Sequence, residues 1–110
     1  MGKFEIRKDK GKMFRFCLRA GNGQSILQSG GYTTKAACEN GIESVRQNSQ
    51  DDVLYERRTA SDGSPYFNLK ARNVQVIGQS RMYSSVSAME KGIASVKSNA
   101  PKAEIEDNSQ

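Results

Sequence analysis

Apolar and polar residues alternate in separate runs within the first 30 positions, a pattern typical of β-strands that bury one face. One alternating run covers residues 4–8 and a second covers residues 13–20, with a turn-like Asp9-Lys10-Gly11-Lys12 between them. The second run divides into a core face and a solvent face, formed by Phe14, Phe16, Leu18 and Ala20 and by Arg15, Cys17 and Arg19, respectively. The chain is therefore predicted to begin with a β-hairpin.

A third strand and a helix are predicted to follow this hairpin. Asn22-Gly23 is suited to the positive φ angles of a tight turn, and residues 24–29 form a strand centred on Ile26. Thr33 or Thr34 is suited to cap a helix that runs to about Asn48. Apolar residues spaced three and four apart give this helix one stripe for the sheet, made of Ala37, Cys38, Gly41, Ile42 and Val45.

The whole pattern recurs without a gap after a displacement of 51 residues. Residues 16–20 (Phe-Cys-Leu-Arg-Ala) align with residues 67–71 (Phe-Asn-Leu-Lys-Ala). Ser84 or Ser85 is the predicted cap of a second helix, which runs to about Asn99. The turn of the second copy, Arg72-Asn73-Val74, has no glycine and is expected to be of another kind than Asn22-Gly23.

A glycine and an asparagine recur in the helices of both copies, and each predicts a local feature of the structure. Gly41 and Gly92 are costly inside helices, so we predict that the helix approaches the sheet closely there. Asn48 and Asn99 are predicted to stop the helices in the left-handed conformation.

The segment that joins the two copies belongs to both. Residues 53–59 align with the first strand, while Leu54 also aligns with Ile105 in the C-terminal segment. Each repeat is thus β-β-β-α-β, and the fourth strand of the first repeat continues into the first strand of the second. We expect a single domain over residues 1–110, with repeats at about 2–51 and 53–108.

The residues of this repeat identify a family resemblance. The tandem spacing, the Phe-x-Leu-x-Ala-x-Asn-x-Gln strand and hairpin, and the twice-occurring helix end Gly-Ile-x-Ser-Val-[Arg/Lys]-x-Asn resemble the YegP-like family of small bacterial tandem-repeat proteins, over roughly residues 2–108. That resemblance implies an α+β fold: one mostly antiparallel sheet, two helices on one face and exchanged C-terminal strands. It implies no catalytic, cofactor or ligand-binding residues, and it describes a domain of unknown function.

Composition narrows the function classes. The 110 residues are 35% hydrophobic and 26% charged, and they contain neither a membrane-length apolar run nor an apolar signal segment, so a cytoplasmic protein that does not insert in membranes is expected. Histidine is absent, and the two cysteines, Cys17 and Cys38, have Asn68 and Met89 as their counterparts. We therefore expect free thiols, no metal site and no cofactor.

The helix-free face of the predicted sheet is the candidate binding surface. Alternation places Arg15, Arg19, Tyr66 and Lys70 on it, together with Glu5 and Glu56, which are expected to pair with arginines across strands and to repel phosphate. The net charge of +5 lies in residues 1–50, which hold nine Lys and Arg against four acids. Cys17 lies on the same face, where Arg15 and Arg19 are expected to lower its pKa, while Cys38 is expected in the core.

Three readings of this surface remain open at the level of sequence. The first is a non-catalytic interaction module that engages a protein or a second copy of itself, although a monomer is favoured because the repeat is already duplicated. The second is weak binding of single-stranded nucleic acid, for which basic residues follow phosphates and aromatic residues stack on bases. The third and most remote is a thiol-dependent enzyme or redox protein, since no base, nucleophile and orienting group occur together.

Overall fold

The computed structural model describes residues 2–109, and in them one seven-stranded sheet carries two α-helices on one face. The elements in chain order are β1 (Lys3–Lys8), β2 (Phe14–Arg19), β3 (Ser25–Gln28), α1 (Lys35–Asn48), β4 (Tyr55–Thr59), β5 (Pro65–Lys70), β6 (Val76–Gln79), α2 (Val86–Asn99) and β7 (Glu104–Asp107). Short 3-10 turns at Asp52–Leu54 and Ala100–Lys102 precede β4 and β7. The predicted α+β class is confirmed.

The strand order β4-β5-β6-β3-β2-β1-β7 shows how the repeats are joined. β3 and β6 meet antiparallel at the centre of the sheet, where Gln28 lies opposite Gln79. The chain that leaves α1 crosses to the second repeat as β4, and the chain that leaves α2 crosses back as β7, which pairs parallel with β1. The exchange is therefore confirmed for the C-terminal strand β7, whereas Val53 and Leu54 form a 3-10 turn and the strand that begins at Tyr55 is the first strand of the second repeat.

A single hydrophobic core lies between the sheet and the helices. The alternating residues of β2 and β5 point into it as predicted, and Phe16 and Phe67 are almost fully buried. Ile42 of α1 and Ile93 of α2 pack in the same cluster. α1 lies against β2, β5 and β6, and α2 lies against β5 and β3, so each helix covers strands of both repeats.

All four hairpins use the same turn, which corrects one prediction. A backbone hydrogen bond links the first and fourth turn residues, and the fourth residue has a positive φ: 65° at Lys12, 85° at Gly23, 89° at Gly63 and 74° at Val74. The turn at Arg72-Asn73-Val74 is thus of the same kind as its counterpart. The shared geometry is fixed by the strand twist and by Asn73, whose side chain accepts from the Gln75 amide as Asn22 does from Gln24.

Val74 is strained by this geometry, because a β-branched residue at positive φ is a conformational outlier. Such a conformation costs roughly 1–3 kcal/mol, whereas glycine loses roughly 0.5–1 kcal/mol of backbone entropy on folding. We therefore expect Val74→Gly to raise the free energy of unfolding by about 1 kcal/mol, measured by urea titration. The reciprocal change Gly23→Val serves as the control and is expected to destabilise; a loss of stability in Val74→Gly would contradict the assignment of strain.

The helices begin as predicted and end differently. Thr34 and Ser85 cap them by accepting hydrogen bonds from the amides of Ala37 and Ala88, at 3.0 and 3.1 Å. Asn48 and Asn99 are not left-handed stops: both lie inside their helices, and the capping residues that follow keep right-handed φ angles. The asparagine side chains instead donate to the carbonyl oxygen one turn earlier. A left-handed cap is unnecessary because the chain continues directly into a tight turn.

The predicted close approach at the helix glycines is confirmed, with tyrosines as the contact. A Cβ at Gly41 would collide with the hydroxyl of Tyr32, and one at Gly92 would collide with that of Tyr83. Tyr32 stacks on Phe16, and Tyr83 stacks on Phe67, with ring centroids 6.3 and 6.4 Å apart. In each repeat a tyrosine ring therefore lies between the helix backbone and the sheet.

Overpacking at this contact is expected to be costly. Gly92→Leu should lower the free energy of unfolding by about 1–3 kcal/mol or more, because neither Tyr83 nor the buried ring beneath it has room to move. Gly41→Leu should behave in the same way. Lys91→Leu, on the exposed side of α2, provides the control in urea unfolding. A higher unfolding midpoint for Gly92→Leu would show that the helix tolerates a side chain there.

Candidate functional site

The open sheet face, defined as the strand surface opposite the helices, carries all four candidate residues. Arg15 and Arg19 stand on β2, and Tyr66 and Lys70 stand at the equivalent positions of β5. β3 and β6 separate these two strands, so the pairs are about 14 Å apart at three strand spacings. Residues four apart on one strand are themselves about 13 Å apart, so the fold places the four residues on one face without bringing them into a single cluster.

Glu5 organises the face in the first repeat. Its carboxylate accepts a hydrogen bond from Arg19 at 3.0 Å and from Asn108 at 2.8 Å, and it forms an ion pair with Arg7 at 3.1 Å. Only 5% of Glu5 is exposed. Burial by itself would raise its pKa, but the hydrogen bonds from Arg7, Asn108 and Arg19 outweigh burial and lower the pKa to about 2. Glu5 is therefore charged and neutralises this part of the face.

Glu56 has the equivalent role in the second repeat, with fewer neighbours around it. It accepts hydrogen bonds from Asn68 and Lys70, both at 3.0 Å, and pairs with Arg58 at 3.4 Å. Its side chain is 30% exposed, against 6% for Glu5. Hydrogen bonds from Asn68 and Lys70 lower its pKa. The cross-strand ion pairs expected from the repeated glutamates are thus present in both copies.

Two glutamines at the centre of the face were absent from the predicted set. Gln28 and Gln79 are exposed partners across the β3–β6 junction, and Gln79 donates to Asn68 at 3.1 Å. They line a groove of about 470 Å³ that also includes Arg15 and Arg81. The recurrence of this glutamine at the 51-residue offset could have marked the two residues as candidates, but nothing in the sequence indicated that the two copies meet at this point.

The cysteines do not have the character of activated thiols. Burial raises the pKa of Cys17, and it outweighs the opposing effect of Arg19. The prediction that arginines give this thiol a lowered pKa is wrong, because burial dominates and the Glu5 carboxylate, 3.8 Å from the Cys17 sulfur, raises the pKa further. Cys38 is fully buried, as predicted, and burial raises its pKa to about 11. Both thiols are free.

Within residues 2–109, no group of three or more cysteine, aspartate or glutamate side chains is arranged to hold a metal ion. Neither helix in this range has the length and apolar character of a membrane span.

Comparison with known proteins gives consistent matches. The family model described as "Domain of unknown function (DUF1508)" matches residues 9–56 and again residues 60–107. The UPF0339 protein YegP of Escherichia coli K12 is 51% identical over 107 residues, which cover 97% of each chain, and a UPF0339 protein of Acinetobacter baylyi is 52% identical over 106 residues, 96% of each.

Solved structures agree with these matches. The solution structure of E. coli yegP, described as a protein of unknown function, superposes with a TM-score of 0.94 at 51% identity, covering 98% of this chain and 93% of that one. A UPF0339 protein from Shewanella oneidensis gives 0.93 at 46% identity, covering 98% and 92%. The two tandem domain matches and the level of identity show that this chain belongs to the YegP-like UPF0339 family.

Proposed function

We propose that the protein is a non-catalytic interaction module that binds another protein through its open sheet face. The observation that carries this proposal is the pairing of every candidate cation with a carboxylate: Arg15 with Asp9, Arg19 with Glu5 and Lys70 with Glu56. A surface of alternating, already paired charges offers hydrogen bonds of both kinds and little net attraction for a polyanion. Such a surface suits a protein partner with its own mixed polar groups.

Two further features support a binding role in the cytoplasm over thiol chemistry. The raised pKa values of Cys17 and Cys38 disfavour the thiolate that a nucleophile requires. Two free thiols are also usual in a reducing compartment. The tandem repeat already brings two copies of the face into one sheet, so we propose that the protein acts as a monomer.

The test uses a photo-crosslinker placed at two exposed positions. A crosslinker at Gln28, in the centre of the face, is expected to capture a defined partner in cells, whereas one at Lys91, on the helix side, is not. Adding Arg15→Glu and Tyr66→Ala should abolish the adduct formed at Gln28 while circular dichroism shows an intact fold. Equal capture at both positions, or capture unaffected by the substitutions, would contradict the proposal.

Weak binding of single-stranded nucleic acid is the alternative, favoured by the net charge of +5 and by the partly exposed ring of Tyr66. A titration with a short single-stranded oligonucleotide at two salt concentrations separates the two functions. Each phosphate contact would add about 0.7–0.9 to the slope of log affinity against log salt. Steep salt dependence with chemical shift changes at Arg15, Arg19, Tyr66 and Lys70 would favour nucleic acid; shifts spread over all lysines would indicate only generic attraction.

A further inference from the structure

β7 is held on the edge of β1 by contacts that are specific to its sequence. In their parallel register Ile105 lies opposite Phe4. Asp107 pairs with Lys35 at the start of α1 at 2.6 Å, and Glu106 pairs with Lys3 at 3.1 Å. Asn108, two residues beyond Glu106, donates a hydrogen bond to Glu5 and covers the Glu5 carboxylate. β7 thus fills a strand position framed by β1 and by α1.

The 51-residue repeat generates a similar frame around β4, except that Leu54 and Val86 stand where Lys3 and Lys35 pair with β7. Tyr55 is equivalent to Phe4, and it packs edge-on against Phe67 as Phe4 does against Phe16, with centroid distances of 5.7 and 5.9 Å. Lys97 lies 5.5 Å over the ring of Tyr55, as Arg46 lies 5.4 Å over Phe4. Within residues 2–109, however, β5 is the only strand that pairs with β4. The reason lies in the connection: the segment after α1 becomes β4 itself and does not lie beside it.

The side chains around this edge are correspondingly exposed. Val86, the equivalent of Lys35, begins α2 and is 62% exposed. It lies one helical turn before Glu90, which holds Arg57 of β4 at 2.6 Å, so Val86 is on the side of α2 nearest to β4. Among the described residues 2–109, Glu56, the equivalent of Glu5, accepts hydrogen bonds from Arg58, Asn68 and Lys70 and has no counterpart of Asn108. Val53, at the start of the edge, is 81% exposed.

We propose that β4 accepts an extended segment of a partner protein, which adds to the sheet as a parallel strand in the way that β7 adds to β1. The segment follows the pattern of residues 104–108: an apolar side chain opposite Tyr55, polar residues after it, and an asparagine or glutamine that donates to Glu56. Main-chain hydrogen bonds supply the affinity of such additions, and the alternate side chains supply the specificity. This inference concerns the sheet edge and does not rest on the function proposed for the face, with which it shares only Glu56.

A second copy of this chain is not the expected occupant. Its own β7 is retained by the ion pairs to Lys3 and Lys35, and the backbone continues the pairing through the Asn108 amide and the Ile6 carbonyl at 2.8 Å. Using that strand in another molecule would break all of these contacts. A linear segment from a different protein requires no such loss.

The experiment is an NMR titration of the isotope-labelled full chain with a capped peptide of residues 101–109. We expect weak binding, with shift changes at residues 55–59 and 86–90. A peptide carrying Asn108→Ala should bind about two- to fivefold more weakly, because Glu56 loses the added donor. Changes confined to residues 3–8 would mean that the peptide only replaces the chain's own β7 and would overturn the proposal, as would an absence of saturable shifts.

A charge introduced at Val86 tests the register. Val86→Lys places a lysine at the position equivalent to Lys35. It should strengthen binding of the peptide of residues 101–109 about two- to fivefold, because the new lysine can pair with Asp107 of the peptide. The gain should vanish for a peptide carrying Asp107→Val. Val76→Lys, an exposed position on β6, is the control for general charge and should give no selective gain. An equal gain in affinity for the peptides with and without Asp107→Val would contradict the proposed register between the peptide and β4. Dimers that form with rising protein concentration and weaken the NMR signals of β4 would identify a second copy of the chain as the occupant and overturn the proposal.

Discussion

Residues 1–50 expressed alone are expected not to fold as a monomer. The fragment removes β7 from the outer edge of β1 and β6 from the inner edge of β3, so both edges of its three-stranded sheet become exposed. It also removes the covering of Leu27, which is fully buried and packs on the backbone of Gly78. A unit of about 50 residues buries too little apolar surface to compensate for these losses. Circular dichroism and sedimentation measure the outcome.

Adding residues 51–110 to the fragment provides the matched control. The mixture should regain the native spectrum, because Arg46 donates to the Ala103 carbonyl and Gln50 donates to the Lys97 carbonyl across the repeats. A folded dimer of the fragment would agree with the shared sheet, since a second copy can supply the missing neighbours. A folded monomer would contradict the proposal that residues 1–110 form one cooperative domain.

Acid is expected to remove a large contribution to stability at Glu5. The pKa of Glu5 is about 2 in the folded protein and about 4.5 in its ordinary state, so folding favours the charged form. This stabilisation is fully present above about pH 4.5 and is lost as the pH falls through about 2. A shift of this size corresponds to about 3 kcal/mol, since each pKa unit is worth about 1.4 kcal/mol. Urea unfolding across this pH range measures it.

Two variants show whether Glu5 is responsible. Glu5→Gln should lower the stability at neutral pH and flatten the decline between about pH 4.5 and about 2, because no carboxylate remains to be protonated there. Glu56→Gln is the control at the equivalent position and should have a smaller effect, since solvent screens its more exposed ion pairs. An unchanged pH profile in Glu5→Gln would show that other carboxylates control acid unfolding.

The elements of the fold were predictable because their signals are local. Alternation in β2 and spacing in α1 specify which side of each element is buried, and both predictions are confirmed. Thr34 and Ser85 cap their helices through hydrogen bonds that span only three residues. The failures are local choices that the surroundings override, such as Val74, which adopts a positive φ because the hairpin turn requires one.

The candidate site was predictable only as a face. Alternation places Arg15 and Tyr66 on the same side of the sheet, but it carries no information on the strand order that separates them. The raised pKa of Cys17 also depended on tertiary structure, since it results first from burial of the thiol and then from Glu5 of β1 beside it.

The sequence by itself determined the repeat, the faces of its strands and helices, and the caps, because each depends on residues close together along the chain. The tertiary structure alone decided what happens where the copies meet. Leu27 and Gly78 occupy equivalent positions and come into contact across the β3–β6 junction, where a Cβ on Gly78 would lie 2.6 Å from Leu27. The space at the axis between two similar repeats admits one large side chain, so the copies had to differ there. The same connection that joins them leaves β7 on β1 and an open edge at β4.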